Sequence, residues 1–271
     1  SRTIKLDQIP REKIKYTKRF TVETPKEEKV KSKKRDTRLP GLDALDETSL
    51  SKASETDINR NTAIIEKTLA DFGVPAKVID FKTGPAVTQY AVEPGYVEKP
   101  GPDGVIRRAK VRVAQISTLA NDLALALQAN TIRIEAPVPG TNFVGIEVPN
   151  RKTTYVGLRG VMESESFAKV GSPLAIAMGR DVSGTAISAD LGKMPHMLIA
   201  GTTGSGKSVC ITSLVTCLVM NNTPEDLRMI MIDPKMVELV RFNGLPHLLG
   251  KVEVELERIV GVLKWATREM D

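Results

Sequence analysis

Apolar positions recur along the chain with two periods, and the switches between them mark out its elements. Residues 54–72 place Ile58, Ile65, Leu69 and Phe72 at helical spacing, with Ser54 or Thr56 to cap the start and Gly73 to end it. This predicts an amphipathic helix. Two β-rich segments follow at residues 74–81 and 86–92, separated by Lys82-Thr83-Gly84-Pro85, whose Gly-Pro predicts a hairpin turn. A second hairpin tip is predicted at residues 99–104, after which residues 109–116 alternate as a strand. Residues 116–129 read as one helix, and residues 131–136 and 143–148 as strands around a turn at 137–142. This order predicts an α/β domain with a mixed rather than a doubly wound sheet.

A second domain is expected to begin near Pro173. Residues 175–178 and 185–188 read as short strands about a turn, and residues 197–200 as an apolar run ending at a glycine-rich loop. Beyond the loop, Ile211, Leu214, Val215, Leu218 and Val219 form a core-facing helical stripe. Residues 228–233 then form an apolar run without polar alternation, the pattern of a parallel strand covered on both faces. Strand, loop, helix and strand make one βαβ unit. Residues 253–270 close the chain as a helix, with Glu253, Glu255 and Glu257 near its positive end and Lys264 and Arg268 near its negative end.

Composition adds a boundary at the start. Residues 1–38 hold 14 Lys or Arg against 6 Asp or Glu, a net of +8 where the whole chain carries +6, so the remaining residues sum to −2. With two prolines and few large apolar residues, this tract is predicted to be a disordered basic linker, either solvated or touching nucleic acid or acidic lipid. The 271 residues, 41% of them hydrophobic, suffice for more than one core. Cys210 and Cys217, seven positions apart on one helix, are too distant to form a disulfide and read as reduced, which fits a cytosolic compartment. His196 and His247 stand apart from other metal-binding residue types and read as structural. No apolar run is long enough to span a bilayer.

The chemistry concentrates in one loop. Gly201, Thr202, Thr203, Gly204, Ser205, Gly206, Lys207 and Ser208 satisfy the Walker A pattern G-x-x-x-x-G-K-[ST]. The glycines let successive N–H groups turn inward on phosphates, Lys207 supplies a point charge for the β- and γ-phosphates, and the Ser208 hydroxyl is placed for Mg²⁺. Such a string arises by chance in about 1% of chains of this length. Its setting between an apolar run and an amphipathic helix makes it an ATP site, with Mg²⁺ as the second cofactor. Asp233, at the end of its strand, reads either as a Walker B aspartate or as the cap of the turn that Pro234 starts; no second acidic residue follows it directly.

The residues around the loop extend the pattern. Met194-Pro195-His196-Met197-Leu198-Ile199-Ala200 before it, Ile230-Met231-Ile232-Asp233-Pro234-Lys235 and Gly244-Leu245-Pro246-His247-Leu248-Leu249 after it, and Thr68-Leu69-Ala70-Asp71-Phe72, Gly84-Pro85-Ala86-Val87-Thr88, residues 116–123 and Pro139-Gly140 earlier, resemble the FtsK/SpoIIIE family of DNA translocases. That resemblance implies a linker end at 1–38, a ring-forming α domain at 39–165 and the first part of a RecA-like P-loop ATPase domain, with a parallel sheet core, at 166–271. It also implies ATP-driven movement of double-stranded DNA in chromosome partition and cell division, a homo-oligomer closed as a hexameric ring, and a membrane anchor that places the protein at the cytoplasmic face of the bacterial inner membrane. The family's Walker B aspartate and catalytic glutamate lie on a later strand, beyond Asp271, so Asp233-Pro234-Lys235 is a separate motif. This stretch is accordingly expected to bind ATP without efficient hydrolysis. Arg107, Arg108, Lys110 and Arg112 are candidates for DNA phosphates, or else the solvated face of a hairpin. The rival reading is a P-loop ATPase of a secretion system that moves protein; another is a non-motor assembly or tethering role.

Overall fold

The computed structural model describes residues 19–21, 35–48, 54–100 and 106–270; residues 101–104 of the hairpin tip expected at 99–104, and most of the basic tract, lie outside the described residues. They fall into two compact units, one built of residues 19–21, 54–100, 106–155 and 182–185, the other of residues 35–48, 156–181 and 186–270.

In the first unit, α1 spans Glu55–Asp71. The Ser54 hydroxyl accepts the Asp57 N–H at 3.4 Å, and Gly73 at φ +70° lets the chain leave the helix. Ile58, Ile65 and Leu69 are buried as their spacing predicts, whereas Phe72 is exposed. Strands β1 (Ala76–Thr83) and β2 (Val87–Pro94) form the predicted hairpin, with a bulge between Val78 and Asp80. A separate two-stranded ribbon joins β3 (Tyr96–Pro100) to β4 (Ile106–Lys110).

The strand expected over 109–116 stops at Lys110 because a helix begins beyond it. The Gln115 side chain accepts the Arg112 N–H at 2.9 Å, which starts α2 at Val113–Thr118. The single helix expected to Ala129 is two, α2 and α3 (Ala120–Leu127), with Leu119 between them at φ −88°, ψ +13°. The break has a local cause. The Ser117 and Thr118 hydroxyls donate back to the carbonyls of Val113 and Gln115, a bonding mode that bends helices.

Strands β5 (Arg133–Glu135) and β6 (Val144–Pro149) complete a sheet of order β1-β2-β6-β5. Every pairing in it is antiparallel, which corrects the mixed sheet expected from element order. Returning through residues 136–143, β6 runs against both β5 and β2. Tyr90, Val92 and Ile146 of the sheet pack with Ile65 and Leu69 of α1, Ile116 of α2 and Leu123 of α3 in one core.

Within the residues expected to form a linker, Arg19 and Phe20 are held against α1. Asn59, buried on α1, accepts the Arg19 and Phe20 N–H groups at 2.7 and 2.8 Å and donates to the Phe20 carbonyl at 2.9 Å. The Phe20 ring meets Phe81 edge-on at 5.2 Å. A buried amide thus matches the Phe20 backbone on both its N–H and its carbonyl.

The second unit contains α4 (Leu158–Met162), α5 (Glu165–Val170), the antiparallel pair β7 (Ala175–Arg180) and β8 (Ala186–Asp190), α6 (Lys207–Asn221) and α7 (Leu256–Met270). Helix α6 is covered on two sides, so its buried set is wider than one stripe. Leu214 and Leu218 pack on Ile176, while Cys217 and Met220 pack with Val161, Met162 and Ala177. The predicted residues Ile211, Val215 and Val219 are only half-buried. The Arg35 guanidinium donates to the carbonyls of Pro40 and Met220.

The parallel relation expected around residues 228–233 is present as two bridges, Met229 with Leu248 and Ile232 with Glu253. Its partner is thus the segment after the strand, not the apolar run at 197–200, which forms no ladder among the described residues. Short parallel pairings are weak per residue, and Leu198 is exposed rather than packed. Helix α7 starts at Leu256, later than expected, because Glu253 is held in its bridge and its carboxylate accepts the Val254 and Glu255 N–H groups at 3.0 and 3.1 Å.

Candidate functional site

The loop 201–208 leads into the first turn of α6, with Gly206 at the cap position and φ +91°. Gly204 also has a positive φ, +80°, a conformation L side chains rarely adopt. At Gly201 a β-carbon would lie 2.4 Å from the Ser205 hydroxyl oxygen, so that hydroxyl would have to turn away. Positive φ at Gly204 and Gly206 thus shapes the loop, which leads into the positive end of α6.

Lys207 folds back over the loop and donates to the carbonyls of Gly201 and Thr202, both at 2.8 Å. It pairs with no carboxylate among the described residues, so its charge stands free for an anionic ligand. A cradle of small residues, a helix N-terminus and an ammonium without a counter-ion fit a polyphosphate. Thr202, Thr203, Gly204, Ser205 and Gly206 are exposed, and Ser208 is half-buried.

Ser208 brings in a residue the sequence reading missed. Its hydroxyl donates to Glu238 Oε1. Glu238 lies on the turn that follows Asp233, and Asp233 explains why it is there. The Asp233 carboxylate, itself buried, accepts the N–H groups of Glu238 and Leu239, each at 2.9 Å, and these bonds hold it below the usual carboxylate range. Of the two roles open to Asp233 from its position, the geometry is that of the turn cap. Between the two acidic residues, Met236 has φ +55°, a left-handed conformation that a non-glycine side chain adopts only when neighbouring contacts impose it. The available signal for Glu238 was weak, an acidic residue five positions after a strand-end aspartate.

Of the other candidates, Cys217 and His247 are buried. Cys210 and Cys217 are free, and burial pushes the Cys217 thiol up to about 11, so it stays protonated at neutral pH. His247 is buried with Nε2 2.9 Å from the Asn222 carbonyl, while His196 is exposed. Among the described residues no group of three or more His, Cys, Asp or Glu could hold a metal ion. A groove of about 340 Å³, with an apolar wall formed by Val156, Leu158, Met178 and Val209, borders Gly206.

The four candidate DNA residues are only partly brought together. All are exposed. Register places Arg108 and Lys110 on one face of the β3–β4 ribbon, opposite Glu98 and Tyr96, and Arg107 on the other. The Arg108 guanidinium sits 5.5 Å from the centre of the Tyr96 ring. Arg112 lies past the strand, at the cap of α2.

Comparison with known proteins covers both units. Residues 39–150 match the FtsK alpha domain, and residues 157–271 match the FtsK/SpoIIIE family. The chain is 48% identical over 206 residues to a DNA translocase FtsK of Caldanaerobacter subterraneus subsp. tengcongensis, covering 76% of this chain and 27% of that protein. It is 43% identical over 238 residues to a DNA translocase FtsK of Clostridium tetani, covering 87% of this chain and 30% of that protein. Against the DNA translocase SpoIIIE of Bacillus subtilis it is 42% identical over 253 residues, 93% of this chain and 30% of that protein. The chain thus spans less than a third of the length of each of these three relatives. No helix among the described residues is long and apolar enough to cross a membrane.

Proposed function

The chain belongs to the FtsK/SpoIIIE family, and on that footing we propose that it supplies the ATP-binding loop of a motor that moves double-stranded DNA in chromosome partition and cell division. The observation that carries this reading is the loop 201–208, in which Gly204 and Gly206 take positive φ and Lys207, without a carboxylate partner among the described residues, opens α6. Mg²⁺ would neutralise charge on the phosphates, and the Ser208 hydroxyl is the group of the loop that would hold it.

Hydrolysis also requires an oriented water and an acidic base. Asp233 is committed to two backbone N–H groups, and this supports assigning the Walker B pair to a later strand of the longer protein. In this reading the 271 residues bind ATP and turn it over at the background rate, while the longer protein is a DNA-stimulated ATPase, assembled as a hexameric ring and tethered to the cytoplasmic face of the membrane. Robust DNA-stimulated turnover by these residues alone contradicts it.

Contact with DNA is assigned to phosphates, because a motor that gripped bases would stall at each step. Arg108 and Lys110 share a ribbon face, so they act as a pair. Replacing both by alanine is expected to weaken binding to a duplex oligonucleotide roughly tenfold and to lower the slope of log affinity against log salt by about 2. Fluorescence anisotropy at several salt concentrations measures both. An unchanged slope removes these residues from the interface, and no duplex binding by the unsubstituted chain favours an ATPase that moves protein.

A further inference from the structure

We propose that Glu238 is a member of the Mg²⁺–nucleotide site, the anionic partner of Ser208 in holding the cation. The inference rests on the reading of residues 201–208 as a nucleotide loop. Its observation is the contact between the Ser208 hydroxyl and Glu238 Oε1. Ser208 is the loop's hydroxyl for Mg²⁺, so a carboxylate that touches it stands within one ligand of the same ion.

Electrostatics favours a cation there. Glu238 is half-buried and pairs with no Lys or Arg among the described residues. A carboxylate facing a bound polyphosphate with nothing between them is repelled by it. A divalent cation between the two turns that repulsion into attraction. Magnesium keeps several waters and takes only one or two carboxylates beside substrate phosphates, so the absence of a three-acid cluster among the described residues is no obstacle.

The turn that carries Glu238 is fixed rather than incidental. Asp233 accepts the Glu238 and Leu239 N–H groups at 2.9 Å, and the Met236 N–H donates to the Asp233 carbonyl at 3.0 Å. Three bonds on one aspartate thus impose the left-handed Met236 and aim the next acidic residue at the loop. Asp233 is a positioning residue in this scheme, and Glu238 is the group that faces the ion. This gives the Asp-Pro-Lys run a role it lacks as a strand end.

Calorimetric titration of ADP into the full chain, once in EDTA and once in Mg²⁺, tests the assignment. Glu238→Gln and Glu238→Ala are each expected to leave affinity in EDTA unchanged or slightly tighter, and to cut the gain given by Mg²⁺ about tenfold, the usual effect of losing an outer partner of a bound metal. Circular dichroism establishes that both variants are folded. If both keep the wild-type Mg²⁺ gain, or bind ADP more tightly in Mg²⁺ because a competitor for Ser208 has been removed, the proposal is wrong and the nucleotide loop stands. If the unsubstituted chain binds ADP under neither condition, the loop reading itself fails and takes the proposal with it.

Discussion

Nucleotide affinity is expected to fall at least about 100-fold when Lys207 is replaced by alanine, equivalent to about 2.7 kcal/mol. The estimate follows from the charge and its surroundings. An ammonium about 4 Å from a phosphate charge is worth roughly 4 kcal/mol at an effective dielectric of about 20, and part of that is offset by the bonds Lys207 gives up. Those bonds run to the Gly201 and Thr202 carbonyls, both of which can turn to water. The folded state therefore loses little. Equal thermal unfolding of the two proteins, with ATP affinity compared by calorimetry, separates a lost ligand contact from a lost fold. Equal affinity in both would remove the loop from nucleotide binding. Lys207→Arg is expected to recover only part of the loss, since a planar guanidinium does not fit a site shaped around a compact ammonium.

The parts of the fold that were legible in the sequence are those fixed by short-range chemistry. Ser54 and Gly73 delimit α1, Gly84-Pro85 marks the first hairpin, and the glycines of 201–206 announce a loop that takes positive φ at two positions. Periodicity misled where a hydroxyl competed with the helix, at Ser117 and Thr118, because apolar spacing continues through the break. Partnering between strands was illegible for a different reason. Residues 228–233 have the composition of a buried parallel strand, but nothing in their pattern selects residues 248–253 rather than 197–200 as the neighbour. The same limit hid Glu238, whose meaning depends on a contact thirty residues away in sequence. Local signals thus marked out the loop 201–208, while its contact with an acidic neighbour required the tertiary fold.

Asp233 is where that long-range placement is most exposed to test. Its carboxylate satisfies two backbone donors from a buried position, and charge-assisted bonds of this kind contribute about 1.5–3 kcal/mol each. Asp233→Ala leaves both donors unmatched and is expected to destabilise the second unit by about 3 kcal/mol, after allowing for water that reaches the half-open turn. Urea unfolding followed by Trp265, the only tryptophan in the chain, measures the loss. Amide exchange at Glu238 and Leu239 locates it. The pH dependence has a definite sign. Because the folded-state pKa of Asp233 is depressed, its contribution is fully present above the unfolded value, about 3.9, and disappears as pH falls through the lower folded value. The stability difference between the wild type and Asp233→Asn is therefore expected to be constant from pH 7 to about 5 and to shrink below about 4. A difference that stays constant down to pH 2 would mean that the Asp233 charge does not hold the turn. Since the same turn aims Glu238 at Ser208, Asp233→Ala is also expected to reproduce the loss of Mg²⁺ gain seen on replacing Glu238. Asp233→Asn, whose amide oxygen can still accept both N–H groups, is expected to retain most of that gain while losing the pH dependence.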